Sequence, residues 1–539
     1  MIAGAVSICL FLVFGVLALT ASRGLVHFWP SDIAEISYAQ NGGPEVRIIG
    51  ELRDVEEVDV SQLTAAGIKL ETSDPDAVVN RHLLKTGNRD ALGVDFRWIV
   101  EPFFKAVSYP QELVTIERLE WGNQYGYLKS IKEDGVVVSE GTEAWAGFNE
   151  RLNRVLEIRD RIHDIEKADI GRINFKLEKL RLEERGIELS GNTDPATLAE
   201  IESKKSVLNR EYKELEQELI ALYEQINRDS YTFEVQDGRI MDFPMAKVVH
   251  AIKPNAMSLT DKSGEYVYKL WEFVSDDPRE ANTEGGIFPA IFGTVLMVIL
   301  MSIIVTPLGV VAAIYLREYA KQGFITRLIR IAVNNLAGVP SIVYGLFGLG
   351  FFVYFIGGSI DALFYPEALP APTFGTGGIL WASLTLAILT LPVVIVATEE
   401  GLSRIPRSIR EGSLALGATK SETLWRTVIP MASPAIMTGL ILAVARAAGE
   451  VAPLMLVGVV KLAPSLPLDW NAPFLHLDRK FMHLGFHVYD VGFQSPNIEA
   501  ARPLVYATAF LLVLVIIALN LTAIAIRNRL REKYRNLEN

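Results

Sequence analysis

Residues 379–397 read ILWASLTLAILTLPVVIVA, nineteen positions without a charge, and residues 404–430 read RIPRSIREGSLALGATKSETLWRTVIP, with bases at Arg404, Arg407, Arg410, Lys420 and Arg426. An uncharged apolar run of about 20 residues is solvated better by lipid than by a protein core. Lys and Arg close to the end of such a run are retained in the cytoplasm, so the basic loop fixes a side as well as a span. The pair predicts an all-α polytopic membrane protein with this loop inside.

Five more runs meet the length criterion, at residues 2–20, 287–315, 332–356, 434–460 and 504–526, which makes six expected transmembrane helices. Pro289, Pro307, Pro340 and Pro392 fall in or beside them, as membrane helices tolerate when neighbours satisfy the freed backbone groups. The loop after the second run carries Arg317, Lys321, Arg327 and Arg330, the tail carries Arg527, Arg529, Arg531, Lys533 and Arg535, and the loop after the third has only Asp361 and Glu367. Both termini are therefore expected in the cytoplasm, with residues 31–286 on the other side of the membrane. Arg23, just past the first run, is the one dissenting charge. That run lacks a basic leader and a good cleavage site, so it is read as an uncleaved span, with room for a longer native N-terminus. The expected division is a first helix over 1–30, an external insert over 31–286, a transmembrane domain over 287–527 and a cytoplasmic tail over 528–539.

Charge divides the chain the same way. From residue 287 onward there are 19 Lys or Arg against 14 Asp or Glu, a balance of +5 in a chain of net charge −12, which leaves −17 for the first part. An acidic chain without a basic stripe does not suit nucleic acid. Its single cysteine, Cys9, permits no disulfide framework. Within the insert, residues 31–140 mix short alternating runs with turn signals, which predicts strands with some helix. Residues 145–228 differ: Ile201, Leu208, Tyr212, Leu215, Leu219, Leu222 and Ile226 keep the spacing of a helical seam. An earlier arm through Val155, Ile158, Ile162, Ile165, Ile173, Leu177 and Leu180 has a similar but slipped pattern, and residues 186–195 supply the Gly, Asn, Asp and Pro of a helix break. The insert is thus expected to be α+β with a long coiled-coil-like helical hairpin.

The loop at 404–430 also holds the most specific motif. Glu411, Gly412, Ser413, then Gly417 and Ala418, then an apolar residue and Pro430 thirteen positions after the glycine, resemble the EAA loop of ABC importer permeases, departing from it at Gly412 and Thr427. A short helix that seats in a partner's groove needs small residues for close approach and a glycine to redirect the chain. Gly412 and Gly417 also have P-loop spacing, but Ala418 stands where the phosphate-binding lysine must be, and no complete P-loop occurs elsewhere. Hydrolysis of ATP is therefore expected in a separate subunit. A wider likeness covers residues 284–531. Glu284–Ile287 with Pro289, Gly293 and Thr294, NNLAGVPSIVYGL at 334–346 and ARAAGEVAPLML at 445–456 are similar to the PstA-type permeases of bacterial phosphate importers. The resemblance implies a type I ABC importer fold, a PstC-like permease partner, a PstB-like ATPase dimer holding ATP and magnesium, and a periplasmic phosphate-binding protein. No cofactor is implied for this chain. The insert is not part of the common pattern.

The residues that the resemblance places at ATPase coupling are Arg410, Glu411, Gly412, Ser413, Gly417, Ala418 and Pro430. Arg446 and Glu450 stand i, i+4 in the fifth run, where an unpaired charge is expensive, so they are expected to pair; a place near an oxyanion path would also suit the arginine. Asn334 and Asn335 open the third run and could line the path or cap the helix. His476, His483 and His487 share the last outer loop with Asp478 and Asp490, but their spacing fits no standard ligand pattern, and a solvated loop is expected. A permease for another oxyanion would have the same features. A transmembrane sensor with a coiled-coil ectodomain would need a cytoplasmic signalling domain larger than the tail after Ile526.

Overall fold

The computed structural model of the chain describes residues 2–68, 70, 77–191, 194–495 and 498–535. Asn192 and Thr193 of the expected helix break, and residues 536–539 of the expected tail, lie outside them. The chain divides into two compact units, one of Phe28–Phe273 with Pro278–Glu280 and one of Met1–His27, Val274–Asp277 and Ala281–Asn539.

The first unit is built on two antiparallel sheets among the described residues. Strands β1 (Ile33–Tyr38), β2 (Val46–Asp59), β3 (Val78–Lys85), β4 (Phe96–Val100) and β5 (Phe104–Ser108) form a sheet in the order β4-β3-β2-β1-β5. Strands β6 (Leu113–Arg118), β7 (Gln124–Glu133), β8 (Val136–Glu140), β9 (Asp229–Glu234), β10 (Ile240–Pro244) and β11 (Val248–Ile252) form the other, in the order β10-β9-β7-β6-β11 with β8 paired to β7. Alternation does the work of a half-buried strand: in β9, Asp229, Tyr231 and Phe233 point into the core and their neighbours do not. That core also holds Phe148, Leu152, Val155 and Ile162 of the first helical arm and Ile226 at the end of the second. Asp229, only 1% exposed, receives Arg154 from the first arm at 2.5 Å, so the buried charge has its partner.

The arms run Ala144–Asp164 and Ile170–Ser190, joined by a π-turn at Ile165–Asp169, and Pro195–Ile226. Asp194 caps the returning helix through the amides of Ala196 and Thr197. The π-turn gives the slipped pattern a physical cause, because one extra residue per turn re-phases the apolar stripe. Cross-arm pairs Arg161–Glu218, Arg172–Glu211 and Lys205–Glu184 fix the antiparallel pairing. At 1.5 Å per residue the returning arm is about 48 Å long.

In the second unit, six described helices are long and apolar enough to cross a membrane: Gly4–Phe28, Phe288–Tyr319, Ser341–Phe364, Ile379–Arg404, Lys420–Gly449 and Ala501–Arg529. Two differ from the expected runs. The run at 332–356 is split, because Pro340 has no N–H and disfavours helical backbone at Val339, so an amphipathic helix Phe324–Leu336 ends before it and Ser341 starts the apolar one. The run at 434–460 begins earlier and stops at Gly449, where Glu450 turns extended ahead of Pro453.

The Ile379–Arg404 helix is the centre of this unit, packed against Phe288–Ile314 and Ile429–Gly449 through Met297, Met301, Leu386, Val394, Ala443 and Ala447. Its buried Thr385 and Thr390 hydroxyls donate to the carbonyls of Trp381 and Leu386, so neither is stranded there. Small residues set the approach. A Cβ on Gly401 would stand 2.5 Å from that of Ala435, and one on Gly439 would stand 2.7 Å from that of Ala397.

The segment between Gly458 and Ser495, expected as a solvated loop, instead folds onto the helices. His476, His483, His487 and Asp490 are all buried, each with its own partner: His476 meets Asp469 at 3.0 Å, His483 Nδ1 accepts from the Gly485 amide, His487 lies 3.4 Å from the Thr508 hydroxyl, and Asp490 pairs with Lys461 at 3.1 Å. The Leu484 amide donates to the Thr294 hydroxyl, which ties the segment to the Phe288–Ile314 helix. Burial holds His483 down at about 3 and His487 at about 4, so both are neutral at pH 7.

Two outcomes follow for this unit. Gly439→Leu should cost about 1–3 kcal/mol by overpacking and lower the melting temperature of the purified protein, while Gly350→Leu, where a side chain meets open space, should not. The folded histidine pKa values lie below the ordinary 6.5, so their contribution is complete above pH 6.5 and is lost as pH falls toward about 4. Thermal unfolding should show about 1 kcal/mol lost per histidine between pH 7 and 5.5, and His483→Asn should flatten that slope.

Candidate functional site

The segment joining the Ile379–Arg404 and Lys420–Gly449 helices is built around one guanidinium. After Ile405 and Pro406 leave the helix, residues Arg407–Ala415 form a short helix of their own. Arg410 points back from it: Nη1 donates to the Ile405 carbonyl at 2.8 Å, and Nη2 donates to the Leu402 carbonyl at 2.7 Å and to Glu318 at 3.0 Å. Arg410 and Glu318 are 19% and 13% exposed, which makes this a sheltered charge pair. Glu318 belongs to the π-turn Tyr315–Tyr319 that ends the second apolar helix. Arg410, which the resemblance places at ATPase coupling, is turned inward as a clamp between the short helix and its neighbours. Below it, Ile405 and Ile409 join Ile314, Leu424, Val428 and Ala432 in an apolar cluster.

The other face of the short helix is bare. Glu411 is exposed, and Leu414 and Leu416 are 46% and 91% exposed. A side chain added at Gly412 would meet nothing within 4 Å, so this chain's own packing does not call for a glycine there. Gly417 is different: its φ of +89° lies in the left-handed region, where a Cβ is strained. It ends the helix, its amide donating to the Leu414 carbonyl and that of Ala418 to the Ser413 carbonyl. Ser413 also meets the Thr423 hydroxyl at 2.9 Å. Thr419 then starts the next helix with a capping box to Glu422. Pro430 is the second residue of Ile429–Gly449, directly after a π-turn at Leu424–Val428. Thr419-x-x-Glu422 is visible in the sequence as a capping signature, whereas nothing in the sequence points to Glu318.

Arg446 and Glu450 do come together, at 3.6 Å, with side chains 34% and 20% exposed. Arg446 is in the last turn of its helix and Glu450 is already extended, so the pair marks the helix end and not its middle. Asn334 and Asn335 stand in the last turns of the Phe324–Leu336 helix, so neither opens a span or caps its start. The Tyr344 hydroxyl donates to the Leu336 carbonyl across the break that follows.

The family model described as "Binding-protein-dependent transport system inner membrane component" matches residues 305–536. The "Probable ABC transporter permease protein YqgH" of Bacillus subtilis is 34% identical over 195 residues, 36% of this chain and 59% of its own length. YqgI of the same organism, also described as a probable ABC transporter permease protein, is 30% identical over 258 residues, 47% of this chain and 81% of its own. The "Phosphate transport system permease protein PstA 1" of Mycobacterium tuberculosis is 34% identical over 244 residues, 45% of this chain and 71% of its own. The matched region contains the clamp at Arg410, the turn at Gly417 and the helices that carry them. At 34% identity over 71% of the length of that phosphate permease, the chain belongs to the PstA-type permeases.

Proposed function

We propose that the chain is a permease subunit of an ATP-driven phosphate importer, that it forms half of the translocation path with a PstC-like permease, and that it couples to a PstB-like ATPase dimer through residues 407–417. The observation that carries the substrate is the likeness to phosphate permeases over most of their length. The coupling role is supported by the form of the loop, which is rigid within and bare without. Arg410 ties it to two membrane helices, while Gly412, Leu414 and Leu416 present small and apolar surface that this chain leaves uncovered. Such a surface suits a groove on another protein, and the clamp would pass its displacement to the helices. Arg446, beside a helix break, is a candidate to meet the anion.

In this reading six spans place both termini and the basic loops inside, and the acidic first unit outside. Its excess negative charge repels a free anion over roughly 8 Å at physiological salt, so it is not the primary phosphate site. A hairpin reaching about 48 Å is suited to docking a phosphate-binding protein or an insert of the partner permease.

Two experiments test the proposal. Gly412→Trp adds bulk where this chain has space, so the protein should insert and fold normally while phosphate uptake falls about tenfold, the effect of ~1.4 kcal/mol lost at a docking surface. Normal uptake and normal ATPase stimulation in that variant would remove the loop from coupling. Replacing residues 31–282 with a short polar linker should preserve assembly and weaken uptake at limiting phosphate, with recovery in excess binding protein. Unchanged uptake at every concentration would leave the insert a spacer.

A further inference from the structure

Next to the clamp, the second unit has a groove that the coupling mechanism does not use. One wall is Tyr315 and Tyr319, the other is Leu424, Trp425 and Ile429, and Ile314 lies at its floor. Both walls are π-turns, Tyr315–Tyr319 and Leu424–Val428, facing each other across the gap. A π-turn widens a helix and is found often at functional sites. Trp425, Tyr315 and Tyr319 are 64%, 57% and 50% exposed, and they stand at the ends of two membrane-length helices, where aromatic residues settle at the headgroup level.

The rim of the groove is cationic. Lys420 Nζ lies 4.4 Å from the centroid of the Tyr319 ring and donates to the Glu318 carbonyl, which holds the ammonium over the groove. Arg317 and Arg426 occupy exposed positions of the same two π-turns. Of the acidic neighbours, Glu318 is paired with Arg410, while Glu422 caps Thr419 and keeps its charge near Arg426. An apolar slot at headgroup depth with a fixed cation at its mouth matches one ligand chemistry, an acyl chain below an anionic phosphate.

We propose that this groove binds a single anionic phospholipid, with its acyl chain between Tyr315 and Trp425 and its headgroup phosphate on Lys420. Ile314 and Leu424 belong to the apolar cluster that holds Ile405 and Ile409, so the lipid would rest on the base of the coupling segment. The inference rests on reading these helices as membrane spans and does not depend on which ion is carried.

The test uses the full chain in phosphatidylcholine nanodiscs with rising fractions of lipid brominated on the acyl chain, either phosphatidylglycerol or phosphatidylcholine. The signal of Trp425 is taken as the difference between the protein and its Trp425→Phe variant. Brominated phosphatidylglycerol should quench Trp425 at about fivefold lower mole fraction than brominated phosphatidylcholine, and Lys420→Gln should erase most of that preference, since one base near an anionic surface is worth about that factor. Lys420→Arg should keep it, and circular dichroism should be the same for all forms. Equal quenching by the two lipids would show ordinary boundary lipid, and no quenching by either would show that the groove is covered; each overturns the proposal.

Discussion

Arg410 is the point on which the geometry of the second unit turns. Three of its contacts reach three places: the carbonyl that ends the central helix, the extended linker after it, and a carboxylate on a π-turn at the end of another helix. A helix terminus leaves carbonyls without partners, and a cation placed there satisfies them while favouring the dipole. Without this guanidinium, the Leu402 and Ile405 carbonyls would lose their donor and Glu318 would be left a sheltered, unpaired charge. The short helix would then be held to the membrane helices by the Ile405 and Ile409 contacts and little else. Rigidity is what the proposed coupling role requires, because a loop that moved freely could not deliver a displacement to the helices behind it.

The central Ile379–Arg404 helix supplies the other half of that argument. It is the most buried of the membrane-length helices among the described residues, and Gly401 and Gly439 let it lie close to its neighbour. Close packing transmits displacement because a packed seam moves as a unit or not at all. The clamp and the seam together make a continuous connection from the bare leucines at 414 and 416 to the middle of the helical core.

How much of this the sequence carried depended on whether one chain segment alone decided the outcome. Apolar length located the Phe288–Tyr319 and Ile379–Arg404 helices well, since length and the lack of charge are local properties. It misplaced the third and fifth runs because hydropathy does not register a break: Pro340 interrupts one and the turn at Glu450 ends the other, while apolar residues continue past both. The slipped seam at 155–180 was visible, but its cause, a π-turn, is a property of hydrogen bonding. The buried histidines were missed for the reverse reason. His483 and His487 stand between apolar neighbours in a run too short to span a bilayer, FMHLGFHVY at 481–489, and they become buried only when that segment folds against Thr294 and Thr508 from distant helices. Arg410 looked like one more base in a basic loop, and only the arrival of Glu318 from a segment 92 positions away distinguishes it.

The central claim is that the bare face at residues 411–417 seats on an ATPase. Cys9 is the chain's only native cysteine, so a Cys9→Ser background offers a clean site for Leu416→Cys. With a short bifunctional thiol reagent in assembled complex, the introduced thiol should cross-link to the ATPase subunit, and the yield should change when ATP binds. No cross-link to an ATPase in either state, or labelling of that thiol by an impermeant reagent applied from outside the cell, would contradict the account.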